Sequence, residues 1–181
     1  MKKFETDRLI VREFEDNDYK DLFEYASDDD VVKFLHFKKY GTFNDAKMRI
    51  FDLKEKYLQN DKVGDFAVEL KETKKVIGSI NITLISKKAG GIVTLGWVLN
   101  KKYQGFGFMT ECVNAALKYI KKNKLAMRVC ATHDVDNIKS GNVMKRTGFV
   151  FEGISRKAGD NNYHSRYDVA NYSKLYEEID D

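Results

Sequence analysis

A chain of 181 residues has room for one domain with a sizeable core, and its 43% hydrophobic and 13% aromatic content excludes disorder. The 32 basic and 28 acidic residues leave a net charge of +4, too small a surplus to call for nucleic acid or an anionic membrane. No apolar run reaches the ~20 residues of a spanning helix, the first residues turn acidic at once, and Cys112 and Cys130 are too few for a disulfide scaffold, so one soluble cytoplasmic domain over residues 1–181 is expected.

Residues 6–14 read as a first strand, with Leu9, Ile10 and Val11 at its heart. Residues 16–27 follow as a helix that places Leu22, Phe23 and Ala26 on one side. Residues 28–37 predict a short helix and then a loop. A second long helix is expected over 44–59, its core face supplied by Met48, Ile50, Phe51, Leu53 and Leu58. The period then changes. Phe66, Val68 and Leu70 alternate with Asp65, Ala67 and Glu69, and after a polar turn Ile80, Ile82 and Leu84 alternate with Ser79, Asn81 and Thr83. Both runs read as hairpin strands with one wetter face. Residues 92–99 are nearly continuous apolar, the pattern of a central strand covered on both faces.

The cleanest helix comes next. Met109, Cys112, Val113, Ala116, Leu117 and Ile120 fall on one helical face, with Glu111, Asn114, Lys118, Lys121 and Lys122 on the other. Residues 126–132 read as a strand, 137–147 as a helix, 149–154 as a strand and 164–175 as a last strand. The expected class is therefore α/β of the α+β kind: a mixed, mostly antiparallel sheet of about seven strands with about four helices, a meander passing into a crossover unit.

Chemistry concentrates between the central strand and the amphipathic helix, in Lys101-Lys102-Tyr103-Gln104-Gly105-Phe106-Gly107-Phe108-Met109-Thr110. Glycines at a strand-to-helix turn let backbone approach a ligand and leave the first helical amides free for an anion. The same glycines also suit a plain tight turn. A dinucleotide fingerprint would need a third small residue where Thr110 stands, and a Walker loop would need a terminal Gly-Lys-Ser/Thr. What remains resembles the pyrophosphate loop of the GNAT N-acetyltransferases.

Further motifs carry the likeness along nearly the whole chain. The run from Tyr103 to Cys112 is similar to the Tyr-Trp-Gly-Lys-Gly-Tyr-Ala-Thr-Glu-Ala run of the ribosomal-protein N-acetyltransferase branch. Asn137-Ile138-Lys139-Ser140, then Gly148-Phe149 and Glu152-Gly153, resemble that branch's Asn-x-x-Ser…Gly-Phe…Glu-Gly signature, and Thr6-Asp7-Arg8-Leu9 resembles its opening. The resemblance implies the GNAT fold, its sheet splayed at the central strand, with acetyl-CoA as cosubstrate and its pantetheine arm along backbone groups of Trp97, Val98 and Leu99. It implies that amides of Gln104, Gly105, Phe106, Gly107, Phe108, Met109 and Thr110 cradle the pyrophosphate. Lys102 stands where the family has Gln or Arg and offers charge without a bidentate fork. Asn137 would hold the cofactor arm, although a simple helix cap is the plainer reading. Ser140 would protonate the leaving thiolate.

The expected activity is acetyl transfer to a primary amine by direct attack, a peptide or protein α-amine being favoured. A small amine (polyamine, amino sugar or amino acid) and a non-catalytic acetyl-CoA-binding module are the alternatives, and a homodimer stays open. Two departures bear on mechanism. Met144 replaces the tyrosine acid of many relatives, and Thr94 replaces a central-strand glutamate, which leaves the base unassigned. The scattered His36, His133 and His164 offer no metal motif, and no metal is expected. Cys112 and Cys130 suit core packing, and Lys118, Lys121, Lys122 and Lys124 a solvated face. Asp28-Asp29-Asp30 suits a helix start or the entrance for a cationic acceptor. Residues 34–43 and 156–166 are two segments able to close over an acceptor.

Overall fold

The computed structural model describes residues 2–60, 62–160 and 166–180. The strands are β1 (Lys2–Glu5), β2 (Leu9–Arg12), β3 (Gly64–Leu70), β4 (Lys75–Ser86), β5 (Ile92–Leu99), β6 (Arg128–Asp134), β7 (Val150–Gly159) and β8 (Tyr167–Leu175). The helices are α1 (Tyr19–Ala26), α2 (Asp29–Val32), α3 (Phe43–Gln59), α4 (Phe108–Lys122) and α5 (Ile138–Arg146). One sheet runs β1-β2-β3-β4-β5-β6-β8-β7, and only β5 and β6 pair in parallel, joined by the crossover helix α4. The class is as expected, with eight strands in place of seven and five helices in place of four.

The extra strand is β1, which lies before the expected strand over 6–14, and that strand itself begins only at Leu9. The Thr6 amide donates to the Leu9 carbonyl at 2.9 Å, and the Leu9 amide donates to Thr6 Oγ1 at 2.9 Å, closing a turn between β1 and β2. The long helix α3 begins where expected because Thr42 caps it: Thr42 Oγ1 accepts from the Asp45 amide at 3.4 Å, and the Asp45 carboxylate accepts from the Thr42 amide at 2.8 Å. Its core face differs from expectation. Ala46, Ile50, Leu53 and Tyr57 are buried, whereas Met48, Phe51 and Leu58 are 53%, 60% and 83% exposed. Tyr57 decides the helix rotation: its ring stacks on Phe66 at 5.8 Å and its hydroxyl donates to the Asp65 carbonyl.

The wetter face expected of β3 is also absent, since Phe66 through Leu70 are all buried. Glu69 is tolerated there because Arg12 Nε donates to it at 2.7 Å, while Arg12 Nη1 and Nη2 grip the buried Asp18 at 2.7 and 2.9 Å. Two carboxylates hold the Arg12 guanidinium well above its usual range against the pull of burial. In α4 the six apolar residues picked from the sequence are all buried, as the 3.6-residue period requires. That helix packs against β1, β2 and α5, while α1 and α3 lie over β4 and β3.

Candidate functional site

The parallel ladder between β5 and β6 is short: Ile92, Val93 and Thr94 sit beside Arg128, Val129 and Cys130, and no pairing continues beyond them. Strand β5 runs on to Leu99 against β4 alone. The sheet therefore opens from Leu95 onward, as the splay implied. A cavity of about 530 Å³ occupies the opening. Leu95, Gly96 and Trp97 form one wall, Thr132, His133 and Asp134 the other, with Asn137 and Ser140 of α5 beside them. Phe34, Leu35 and His36 cover it from the loop after α2, and Ala158, Gly159 and Asp160 from the end of β7. Part of the second closing segment, residues 161–165 with His164, lies outside the described residues.

Beyond Leu99 the chain makes the expected strand-to-helix turn. Gly105 and Gly107 have φ of +90° and +80°, backbone that side-chain-bearing residues rarely adopt. Nothing lies within 4 Å of where a Cβ on Gly105 would stand, so that face of the loop is open. No side chain caps α4, and its first amides are left to a ligand or solvent. These features suit a pyrophosphate.

A clamp that the sequence motifs contained, but to which no role was given, holds the loop. Arg8 Nε donates to Glu111 Oε2 at 2.7 Å, Arg8 Nη1 donates to the Phe106 carbonyl at 3.1 Å, and the guanidinium lies 4.4 Å from the Phe108 ring centre. Thr6 Oγ1 and the Arg8 amide both donate to Glu111 Oε1, at 2.5 and 3.1 Å. Burial works to raise the Glu111 carboxyl, but the bonds from Thr6 and Arg8 outweigh it and hold it below the usual range. The signal was an opening Thr-x-Arg and a Thr-Glu that are far apart in sequence and opposite in charge.

The remaining residues singled out fall as follows. Gln104 bridges the two sides of the turn: its Nε2 donates to the Leu99 carbonyl at 3.0 Å and its Oε1 accepts from Lys139 Nζ at 2.8 Å. Lys102 reaches away to Glu24 on α1 at 2.9 Å, and Lys101 pairs with Asp30. Lys75, then Lys102, hold the Glu24 carboxyl down to about 2. Asp28 caps α2 through the Asp30 and Val31 amides, the helix-start role weighed for that acidic run. Asn137 Oδ1 caps α5, accepting from the Ser140 amide at 3.3 Å. The Ser140 hydroxyl has no partner among the described residues and borders the cavity. Met144 is buried in the core. Cys112 is fully buried and its thiol pushed up by that burial, which does not suit an activated nucleophile, and Cys130 is half-buried.

Two cavity residues were missed as site candidates. His133 had been considered only as a metal ligand. Its Nδ1 lies 2.7 Å from the Asp134 carbonyl oxygen, which can only accept, so Nδ1 is the donor of that bond. Its Nε2 is buried and unbonded among the described residues, and a Cβ on Gly141 would stand 2.9 Å from it. Asp134 is 5% exposed, and its Oδ1 accepts from the Asp136 amide at 3.0 Å. Its one sequence signal is its place three residues before Asn137.

Comparison with known proteins agrees with this geometry. Residues 8–150 match the family model of the acetyltransferase (GNAT) domain. The chain is 35% identical over 154 residues to the uncharacterized N-acetyltransferase YnaD of Bacillus subtilis, covering 84% of this chain and 85% of that protein. It is 26% identical over 162 residues to the ribosomal protein uS5 alanine N-acetyltransferase of Escherichia coli, covering 83% and 79%. Among solved structures, the microcin C7 self-immunity acetyltransferase MccE in complex with acetyl-CoA and AMP superposes with a TM-score of 0.83 at 22% identity, over 94% of this chain and 93% of that one. No described helix is long and apolar enough to cross a membrane. With the splayed sheet, the uncapped glycine turn and the family match in agreement, the chain is an enzyme of the GNAT acetyltransferase family.

Proposed function

We propose that this enzyme moves an acetyl group from acetyl-CoA directly to a primary amine, with the α-amine of a peptide or protein as the favoured acceptor. One observation carries the reading: β5 has no β6 partner after Thr94, and the chain passes from its end at Leu99 into the glycine turn that leaves the start of α4 uncapped. In this reading backbone groups of Trp97, Val98 and Leu99 take the pantetheine arm, and the amides from Gln104 to Thr110 take the pyrophosphate. The family's relation to acetyl-CoA, seen in the MccE complex, supports the donor.

In this reading the glycine turn and the α4 dipole hold the pyrophosphate, and the Arg8–Glu111 clamp keeps the turn in shape. Asn137 Nδ2 faces the cofactor arm while its Oδ1 caps α5. Ser140 gives its hydroxyl proton to the departing sulfur. Thr94 cannot act as a base near neutral pH. An α-amine, with its pKa near 8, supplies more neutral nucleophile at pH 7 than an alkyl amine does. A small amine is the second reading, favoured by the cover that residues 34–36 and 158–160 place over the cavity.

Thiol release from acetyl-CoA, measured with short peptides, spermidine and an aminoglycoside at pH 7 and pH 9, tests both. Peptide turnover already substantial at pH 7 is expected, and activity confined to small amines overturns the preference. Ser140→Ala should lower turnover by roughly 100-fold with little change in cofactor affinity. A stable acetyl adduct on Cys112 or Cys130 during turnover would contradict direct transfer.

A further inference from the structure

We propose that Asp134 holds the acceptor amine and takes its proton, a role that rests on the amine-acetyltransferase reading above. The sheet register places it. Thr94 sits beside Cys130 across the parallel ladder, and β6 keeps an unbroken register with β8 through Asp134. Alternation along β6 then puts Cys130, Thr132 and Asp134 on the same face as Thr94. The face that carries threonine on the central strand thus carries a carboxylate on the other side of the opening, next to Asn137 and Ser140.

The state of that carboxylate is unusual. Asp134 is 5% exposed, and aspartates buried to this degree are normally paired. Among the described residues its one side-chain bond is the one Oδ1 accepts from the Asp136 amide at 3.0 Å. Among the described residues no lysine or arginine pairs with it, and none lines the cavity. An ammonium group in the cavity supplies both the missing charge and the missing donors.

The other titratable groups facing the cavity are His36 after α2, His133 on β6, Asp160 at the end of β7 and Tyr167 on β8. His133 is excluded from the role by its own bonding, since Nδ1 is turned to the Asp134 carbonyl and Nε2 is sealed against Gly141.

The step balances as follows. The acceptor ammonium gives one proton to the Asp134 carboxylate, which passes it to solvent. The freed nitrogen lone pair forms the N–C bond to the thioester carbonyl carbon, and the C–S bond breaks with its electron pair on sulfur. Ser140 protonates that sulfur, and the second proton lost by nitrogen as the amide forms restores Ser140. The products are the amide, free thiol and one proton.

Asp134→Asn keeps an oxygen for the Asp136 amide and removes the charge. For a peptide acceptor at pH 7, kcat/KM should fall roughly 100-fold, with acetyl-CoA affinity within about twofold of the parent. The deficit should narrow at pH 9, where the acceptor is neutral without help. Formate should restore part of the turnover of Asp134→Ala, which a purely structural role would not allow. A folded Asn variant with parental kcat/KM, or with the same loss at both pH values and no formate rescue of the Ala variant, overturns the proposal. Should neither variant fold, the parent labelled at aspartate 13Cγ decides: adding tetramethylammonium in the presence of CoA should shift the Asp134 resonance, and an unmoved resonance overturns it. If the parent releases no thiol with any amine, the acetyltransferase reading fails instead; an active parent with an equally active Asn variant sinks this step alone.

Discussion

The turn before α4 and the cover of the cavity are built by different means. In the turn proposed to hold the cofactor, Gly105 and Gly107 shape the backbone, and Gln104 and the Arg8–Glu111 clamp tie it by hydrogen bonds to β5, to α5 and to the segment between β1 and β2. On the acceptor side, residues 34–36 and the end of β7 meet the cavity from a long loop and from an edge strand with two register shifts. A ligand with one invariant shape can be met by a rigid, prepaid turn. A wall of loop and edge strand accommodates change in the acceptor with little effect on the sheet behind it.

That contrast can be broken from either side. The largest effect is expected from Gly107→Val, which places a branched side chain at φ +80°. Calorimetry should show acetyl-CoA affinity falling from a micromolar dissociation constant by about 100-fold. Binding as tight as the parent's would mean that the turn is not the cofactor cradle. Glu111→Gln removes the charge from the clamp but keeps its shape. Charge-assisted bonds are worth roughly twice neutral ones, and about a tenfold loss of cofactor affinity is expected, with acceptor KM unmoved. His36→Ala should do the reverse, raising acceptor KM by about threefold with the cofactor constant unchanged. Parallel changes in both constants from either substitution would erase the distinction between the turn and the cover.

The smallest effect concerns the ion pairs that join α1 to the turn. Because the folded-state pKa of Glu24 is lowered to about 2, the unfolded chain binds more protons than the folded one between that value and the ordinary glutamate range. Its contribution is therefore fully present above pH 4.5 and lost as pH falls towards 2. Thermal melts of the parent and Glu24→Gln should differ modestly above pH 5, by no more than about 1 kcal/mol for a solvent-facing pair, and converge towards pH 2. A constant difference across that range would mean that the carboxylate acts through packing instead.

The glycine turn and the helix after it were also the legible part. Its glycines and the helix behind it follow from a strand-to-helix turn and a clean 3.6-residue period, which is local information. The elements misread were those whose faces are set by distant partners. Glu69 reads as a wet position until Arg12 arrives from a neighbouring strand to neutralise it. Met48, Phe51 and Leu58 outrank Ala46 and Tyr57 in hydrophobicity, yet Tyr57 turns α3 by stacking on Phe66. Asp134 could not be read as special because its isolation is a property of the cavity: the pattern shows an acidic residue before a helix, and only the fold shows that no lysine or arginine among the described residues pairs with it. Arg8 and Glu111 stood in recognised motifs, but 103 positions separate them, and nothing in either says that it faces the other.

Strand β7 closes the sheet on one side and exposes Val150, Phe151 and Ile154 along it. A flat apolar border of that kind would offer a row of unpaired amides and carbonyls to any passing strand. Its pairing with β8 slips between Phe151 and Gly153 and again between Ser155 and Gly159. Each slip twists the strand and breaks the repeat that an incoming chain would have to match. Glu152, Arg156 and Lys157 place charged groups along the same border, so copies meeting edge to edge encounter both a broken template and charges to desolvate. Irregularity in β7 thus protects the molecule against indefinite growth of its own sheet, a form of solubility written into backbone geometry.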